Sequence, residues 1–222
     1  MFGLDELTAV VPPPATPSIT TCDADWLQVY SVYGTRLPGD FIHTCKVYGN
    51  GAFCSVTHRW TAGVDLYNHW AFWMKEVPAC LWEIRDIRER FPKRVPFPLY
   101  WEPGGLLPWG RTSNEGCLCW LTRGSLVDMW PVVVIRPGAG QSQVFEMSAI
   151  QFLARAIAGT ITCGLLPKGF PGRKGVFFKS FSTGTSSVSG SLAPAQPGTP
   201  PNGGPAALPD NLGVTEGPPS VS

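Results

Sequence analysis

Apolar positions in this chain recur with helical spacing in some stretches and with strand-like alternation in others. Trp26, Val29, Tyr30 and Tyr33 recur at i, i+3, i+4 and i+7, which predicts a helix that Thr21 or Asp23 can cap and Gly34 can end. Leu37, Phe41, Cys45 and Tyr48 share one face of a second helix that follows Pro38 and stops at Gly49-Asn50-Gly51. Residues 52–57 alternate weakly and read as a strand. Residues 64–91 read as mostly helical and broken at Pro78, with Cys80, Ile84, Ile87 and Phe91 forming a stripe in the second half. Prolines at 92, 96, 98, 103 and 108 then argue against long regular structure. Strands are expected over 117–122, 130–136 and 143–146, and a closing helix follows Ser148, which with Gln151 forms a capping box. Ile150, Leu153, Ile157 and Ile161 are its inward face.

Helices first, then adjacent short strands, then a helix predict an α+β fold: a single domain with a largely antiparallel or mixed sheet flanked by helices. From Ser180 to Ser222 there is no Lys, Arg, Trp, Tyr or Cys, and Gly, Pro and Ser dominate. Such a segment buries too little apolar surface to offset the entropy of ordering it. The expected organisation is therefore a flexible Pro-rich leader over 1–21, a folded domain over 22–179, and a disordered tail over 180–222. Every Trp lies between 26 and 130, so the aromatic core belongs to the middle segment.

Charge narrows the function. Seventeen basic against sixteen acidic side chains leave no global field to attract nucleic acid or a membrane surface. No run approaches the roughly 20 apolar residues that span a bilayer, and Asp5 and Glu6 stand where an export signal would carry basic residues. A cytoplasmic protein is the expectation. Seven scattered cysteines fit free thiols in a reducing compartment better than a disulfide framework.

Catalytic and metal motifs are missing from the sequence. There is no C-x2-C or H-x3-H pair, no G-x-S-x-G, no H-E-x-x-H, no P-loop and no dinucleotide fingerprint. No metal, cofactor or catalytic residue is assigned, although a dispersed Cys/His enzyme built on His43, His58 or His69 stays open as an alternative. Arg85, Arg88, Arg90, Lys93 and Arg94 form the densest basic run, but Arg85 meets Glu89 and Asp86 meets Arg90 at i, i+4, which reads as a solvated helix face. Trp70 and Trp73, at i and i+3, read as core rather than as a stacking platform. Residues 101–124 have two readings. One is a rigid, self-packed loop before a central strand; the other is a protein-contact ridge made of Trp109, Arg111, Asn114 and Glu115.

Three blocks resemble the SUKH superfamily, the Smi/Knr cell-wall-regulator type and its bacterial relatives. The first is Leu37-Pro38-Gly39-Asp40-Phe41 running to Tyr48-Gly49-Asn50-Gly51. The second is Glu102-Pro103-Gly104-Gly105-Leu106-Leu107-Pro108-Trp109-Gly110, followed by Thr112, Asn114 and Trp120-Leu121-Thr122. The third is Trp130-Pro131-Val132-Val133-Val134 with Phe152-Leu153. The chain departs from the pattern at Trp101, where a proline is usual, at Glu115-Gly116 and at Cys119. The resemblance implies an α+β domain without cofactor or catalysis that acts by binding another protein, in many bacterial members as an immunity protein that neutralises a toxin. It also implies mainly structural roles for the motif residues. A regulatory or scaffold module of the Smi/Knr type is the alternative. Without the tail's Asp210 and Glu216 the chain has 17 basic and 14 acidic side chains, a balance that does not suit an inhibitor of a basic nuclease.

Overall fold

The computed structural model describes residues 3–18, 21–56, 61–172 and 175–181. Its elements are α1 (Leu4–Val10), α2 (Asp23–Tyr33), α3 (Gly39–Tyr48), β1 (Gly51–Val56), β2 (Thr61–Leu66), α4 (Trp70–Arg90), β3 (Leu106–Thr112), β4 (Cys117–Leu121), β5 (Val132–Arg136), β6 (Gln141–Phe145), α5 (Ala149–Ala158) and β7 (Phe177–Ser180). The strands form one seven-stranded sheet in the order β6-β5-β4-β3-β2-β1-β7, antiparallel at every pairing. The expected α+β fold is therefore present. Its central strands are apolar on both faces: all of β4, and Val132 to Ile135 of β5, are buried.

Each sheet face has its own core. On one side Leu107, Leu118, Trp120, Val132 and Val134 meet α1, α2, α3, α5 and the first half of α4. On the other, Leu106, Cys117, Cys119, Val133 and Ile135 meet Cys80 and Ile84 from the second half of α4. Leu37, Phe41, Cys45 and Tyr48 are buried as read; on α2 Trp26, Val29 and Tyr33 are buried and Tyr30 is half-buried, α5 buries Ile150, Leu153 and Ile157 but ends at Ala158, short of half-buried Ile161, and Gly34 and Gly49 do end α2 and α3. Gly49 has φ 72, and a Cβ there would overlap the Ser18 carbonyl. A side chain at Gly105 would likewise run into Leu99. These glycines of the family-like blocks are requirements of the backbone.

Several expectations are corrected. The leader over 1–21 contains α1, whose Leu4 and Leu7, with Val11, are buried in the larger core. Glu6 pairs with Arg155 of α5 at 3.2 Å, and the Tyr48 hydroxyl donates to the Val11 carbonyl. A helix of seven residues has no stability of its own, so nothing local in the sequence announces it, and docking on α5 makes it. Thr61–Leu66 is a strand rather than the start of a helix, with Ala62, Val64 and Leu66 buried at alternate positions. Helix α4 then runs unbroken through Pro78. Pro78 is exposed, so the hydrogen bond that it removes opens toward solvent and away from the core. Cys80 and Cys117 are joined as a disulfide between α4 and β4, with Cα atoms 6.7 Å apart; the other five cysteines are free. The expected tail begins too early, because Ser180 ends β7 and Phe181 is buried with Ala52 and Cys54. Residues 182–222 lie outside the described residues.

Strand β3 also forms where prolines argued against it. Leu106 directs its N–H away from β4, to the Pro98 carbonyl. Two residues on, the missing N–H of Pro108 falls on that same side, where β2 has already ended with Leu66 opposite Gly110. The strand loses no ladder bond there. The register against β4 then slips by one residue between Pro108 and Gly110. Trp109 and Gly110 both lie on the side of the larger core, and Arg111 turns to the α4 side opposite Cys117. An unbroken period of two would have driven Arg111 into the larger core.

Two outcomes test this architecture. Leu7→Ala should cost about 3 kcal/mol in urea unfolding, as expected for a fully buried leucine; a loss below about 0.5 kcal/mol would show that α1 is not docked. His69 caps α4, its ring nitrogen accepting from Ala71 N–H at 3.2 Å, and burial lowers its pKa from the ordinary 6.5 although Asp25 opposes this. Its stabilising effect is complete above pH 6.5 and is lost as pH falls through the lowered folded value. His69→Asn, a cap that does not titrate, should flatten the decline in melting temperature between pH 7.5 and 5; an unchanged slope would refute the capping role.

Candidate functional site

The four residues expected to form a contact ridge do not form one. Trp109 is wholly buried and packs on Phe41 and Trp120. Arg111 is directed at Glu83 of α4, with both carboxylate oxygens 2.8 Å from the same guanidinium nitrogen. Burial alone would lower its pKa, and Glu83 more than reverses this, so Arg111 stays charged as part of the helix-to-sheet contact. Asn114 accepts from the Thr112 hydroxyl at 2.5 Å and donates to the Leu165 carbonyl at 3.1 Å. Glu115 alone of the four is exposed. Here the self-packed reading of residues 101–124 is the one that fits.

Most family-like residues have inward or backbone tasks. Leu37, Phe41, Tyr48, Leu106, Trp120 and Trp130 are buried, and Pro38 with them. Asp40 accepts from Phe41 N–H, while burial pushes its carboxyl upward. Glu102 binds Arg88 and accepts from Leu99 N–H at 3.0 Å, closing the turn that Pro103, Gly104 and Gly105 continue. Gly51 and Gly110 sit in the ladders of β1 and β3.

The cysteines and histidines assemble no reactive pair among the described residues. Burial pushes the thiols of Cys45 and Cys119 well up and that of Cys54 to about 11, the reverse of what a nucleophile needs. His43 is exposed, His69 is a helix cap, and His58 lies outside the described residues. No group of three potential ligands with metal-site geometry occurs among the described residues. No described helix is long and apolar enough to cross a membrane. The helical basic run is paired as read, Arg85 with Glu89 and Arg90 with Asp86, and Arg88 adds a bond to Glu102. Trp73 is core, as expected, and Trp70 is half-buried.

What the molecule exposes instead is a pair of tryptophans that spacing did not single out. Trp82 is 68% exposed on the polar side of α4, and Trp101 is 64% exposed in the turn before β3. Between them lies a groove of about 240 Å³ walled by Pro78, Leu81, Trp82 and Arg85 on the helix and by Tyr33, Leu99, Tyr100 and Trp101 opposite. Pro78, Leu81, Trp82 and Arg85 share a helix face by their spacing of three and four. The opposite wall is anchored in the core. Trp101 stacks flat on Tyr33 with ring centroids 5.5 Å apart, Tyr33 meets core residue Trp73 edge-on, and its hydroxyl donates to the Trp73 carbonyl at 2.6 Å.

Trp101 is displayed against its backbone preference. Its φ is 71, a value that bulky side chains avoid and that glycine usually supplies. The turn is held closed from both sides by Glu102 N–H donating to the Leu99 carbonyl and by Leu99 N–H donating to the Glu102 carboxylate. A second groove, beside Leu37 and Asp128, is lined by Arg36, His43 and Lys46, but Lys46 is paired with Asp23 and Asp128 holds Gly39 N–H. One signal for the aromatic groove was visible in the chain: Trp82 sits among Glu83, Arg85 and Asp86, on the helix face opposite the apolar stripe. Trp101 had no such signal beyond its departure from the family pattern.

No family model, curated protein or solved structure matches the chain. The SUKH resemblance therefore rests on the motif residues alone.

The strain at Trp101 is measurable. Trp101→Gly removes the left-handed penalty and the Tyr33 stacking together, so its stability should stay within about 1 kcal/mol of the parent. Trp101→Ala loses the ring and keeps the penalty, and should be about 1 kcal/mol less stable than the glycine variant in urea unfolding. Equal stability of the two variants would show the position to be unstrained.

Proposed function

We propose that this protein is a non-enzymatic protein-binding domain whose contact surface is the groove between Trp82 and Trp101. One observation carries the reading: two tryptophans, each more than half exposed, flank one groove whose lining also includes two tyrosines and an arginine. Trp, Tyr and Arg are the residue types that dominate binding energy at protein interfaces. Leaving two indoles largely in water, one of them on a strained backbone, is costly for the isolated fold and offset there only by the Tyr33 stacking and the Arg85 contact. The groove is also smaller than the roughly 300–1,000 Å³ of small-molecule sites, which suits the side chains of a protein partner better than a substrate.

Support for a non-catalytic role comes from the raised thiols and from the engagement of His69 as a helix cap described above. The resemblance to bacterial SUKH proteins supplies the partner class: a toxin that this domain binds and neutralises in the cytoplasm. The basic balance of the chain outside the tail directs the proposal to a toxin that is not itself strongly basic.

Affinity capture from the native cell, followed by expression of the captured protein alone and together with this domain, tests the reading. The expected outcome is one partner that arrests growth alone, is neutralised on co-expression, and is lost with Trp82→Ala and with Trp101→Gly while both variants keep a cooperative melt within a few degrees of the parent. A partner bound equally well by both variants would remove the groove from the interface. A captured protein without effect on growth would reject the toxin and leave a binding module of regulatory type.

A further inference from the structure

The chemistry of the groove indicates what kind of segment it holds, granted that it is the contact surface proposed above. Its walls are aromatic, and the free hydrogen-bonding protons on its lining side chains come from indoles and a guanidinium. Tyr33 and Tyr100 both direct their hydroxyl protons inward, Tyr33 to the Trp73 carbonyl and Tyr100 to the Tyr33 carbonyl. Trp82 and Trp101 are both more than half exposed and neither indole N–H has a hydrogen-bond partner among the described residues, so each is a donor, one that cannot accept, left for a ligand. Of the residues lining the groove, Arg85 alone is charged. Its guanidinium lies 5.6 Å above the Trp82 ring, paired with exposed Glu89 at 3.0 Å. A pair that open to solvent is weak and exchangeable.

A groove with aromatic faces and spare donors complements a ligand rich in acceptors and poor in donors. An ordinary extended peptide brings one N–H for each carbonyl, and its N–H groups would find little on these side chains to bind. Proline brings a carbonyl and no N–H. A proline-rich segment is already extended in the polyproline II conformation, so little entropy is lost on docking, and its rings pack between aromatic side chains. The single cation at the rim calls for a carboxylate on the ligand.

We propose that the groove binds a proline-rich, polyproline II segment of the partner protein, with the prolines between Trp82 and Trp101 and an acidic residue against Arg85. In this pose the two indole N–H groups donate to carbonyls of the segment, and Arg85 exchanges Glu89 for the ligand's carboxylate.

A fluorescein-labelled decapeptide of prolines and leucines with one central aspartate is the probe, read by fluorescence anisotropy against the full-length protein. It should bind in the micromolar range typical of such motifs and weaken about tenfold with Trp82→Ala and with Trp101→Gly, each worth one anchoring aromatic. Changing the probe's aspartate to asparagine should weaken binding about threefold to the parent and leave binding to Arg85→Gln unchanged. Replacing its prolines by glycine should abolish binding. The proposal is overturned if the glycine probe binds as well as the proline probe, or if neither tryptophan variant loses affinity. It is equally overturned if no probe binds and the tryptophans instead support concentration-dependent self-association in sedimentation. Failure of the probe while a captured partner still needs Trp82 and Trp101 rejects the polyproline segment and keeps the protein-binding reading. A captured partner indifferent to both tryptophans rejects that reading itself.

Discussion

The structure depends on the burial of one aromatic ring. Trp120, on the central strand β4, packs against Phe41 of α3 at 5.0 Å between ring centroids, Trp109 of β3 at 5.9 Å, Trp73 of α4 at 6.2 Å and Trp130 ahead of β5 at 6.3 Å. All five rings are buried. Helix α3, the long helix and three successive parts of the sheet region are thereby fixed around one point. Large aromatic surfaces supply both the area and the preferred edge-on or offset geometry that holds such a junction in one arrangement. Trp73 ties the junction further through its indole N–H, which donates to the Tyr67 carbonyl at 2.7 Å.

From that junction the bulge at Trp109 distributes side chains between the two faces of the sheet. Because Trp109 and Gly110 share the larger core, Arg111 faces α4 and finds Glu83. A residue that in sequence looks like part of a polar ridge thus becomes a link between helix and sheet. The Glu102 carboxylate works similarly, holding Leu99 N–H and Arg88 at once. The Pro103 to Gly110 block is thus mostly a device for closing a turn and starting a central strand.

The same junction supports the exposed surface. Trp73 contacts Tyr33, and Tyr33 forms the base on which Trp101 stacks. A side chain in an unfavourable backbone region is kept in place because a rigid core lies beneath it and hydrogen bonds close its turn. Helix α4 supplies the facing wall with the side opposite its buried stripe, and its proline contributes both a ring to the groove and a gap in the helical ladder on the exposed side.

How much of this was legible depended on the range of the interaction. The faces of α2, α3 and α5, the strands β4 and β5, and the i, i+4 ion pairs of α4 follow from local periodicity, because each is decided within a few turns or one strand. Helix α1 and strand β2 were missed since the first exists only against α5, more than a hundred residues away, and the second is polar and glycine-bearing except at three alternate positions. The site was harder to see. Trp109 and Trp101 are both tryptophans in proline- and glycine-rich surroundings, and nothing in their neighbours separates them. By itself the sequence determined the fold class, the central positions of each apolar stripe and the lack of the familiar catalytic and metal motifs, because composition and period state these directly. Only the tertiary structure decided which tryptophans face water: Trp109 is enclosed by Phe41 and Trp120 from other elements, whereas Trp101 is held outward in a turn that Glu102 closes with Leu99 and ties to Arg88 of α4, and contacts between elements far apart in the chain leave no local pattern.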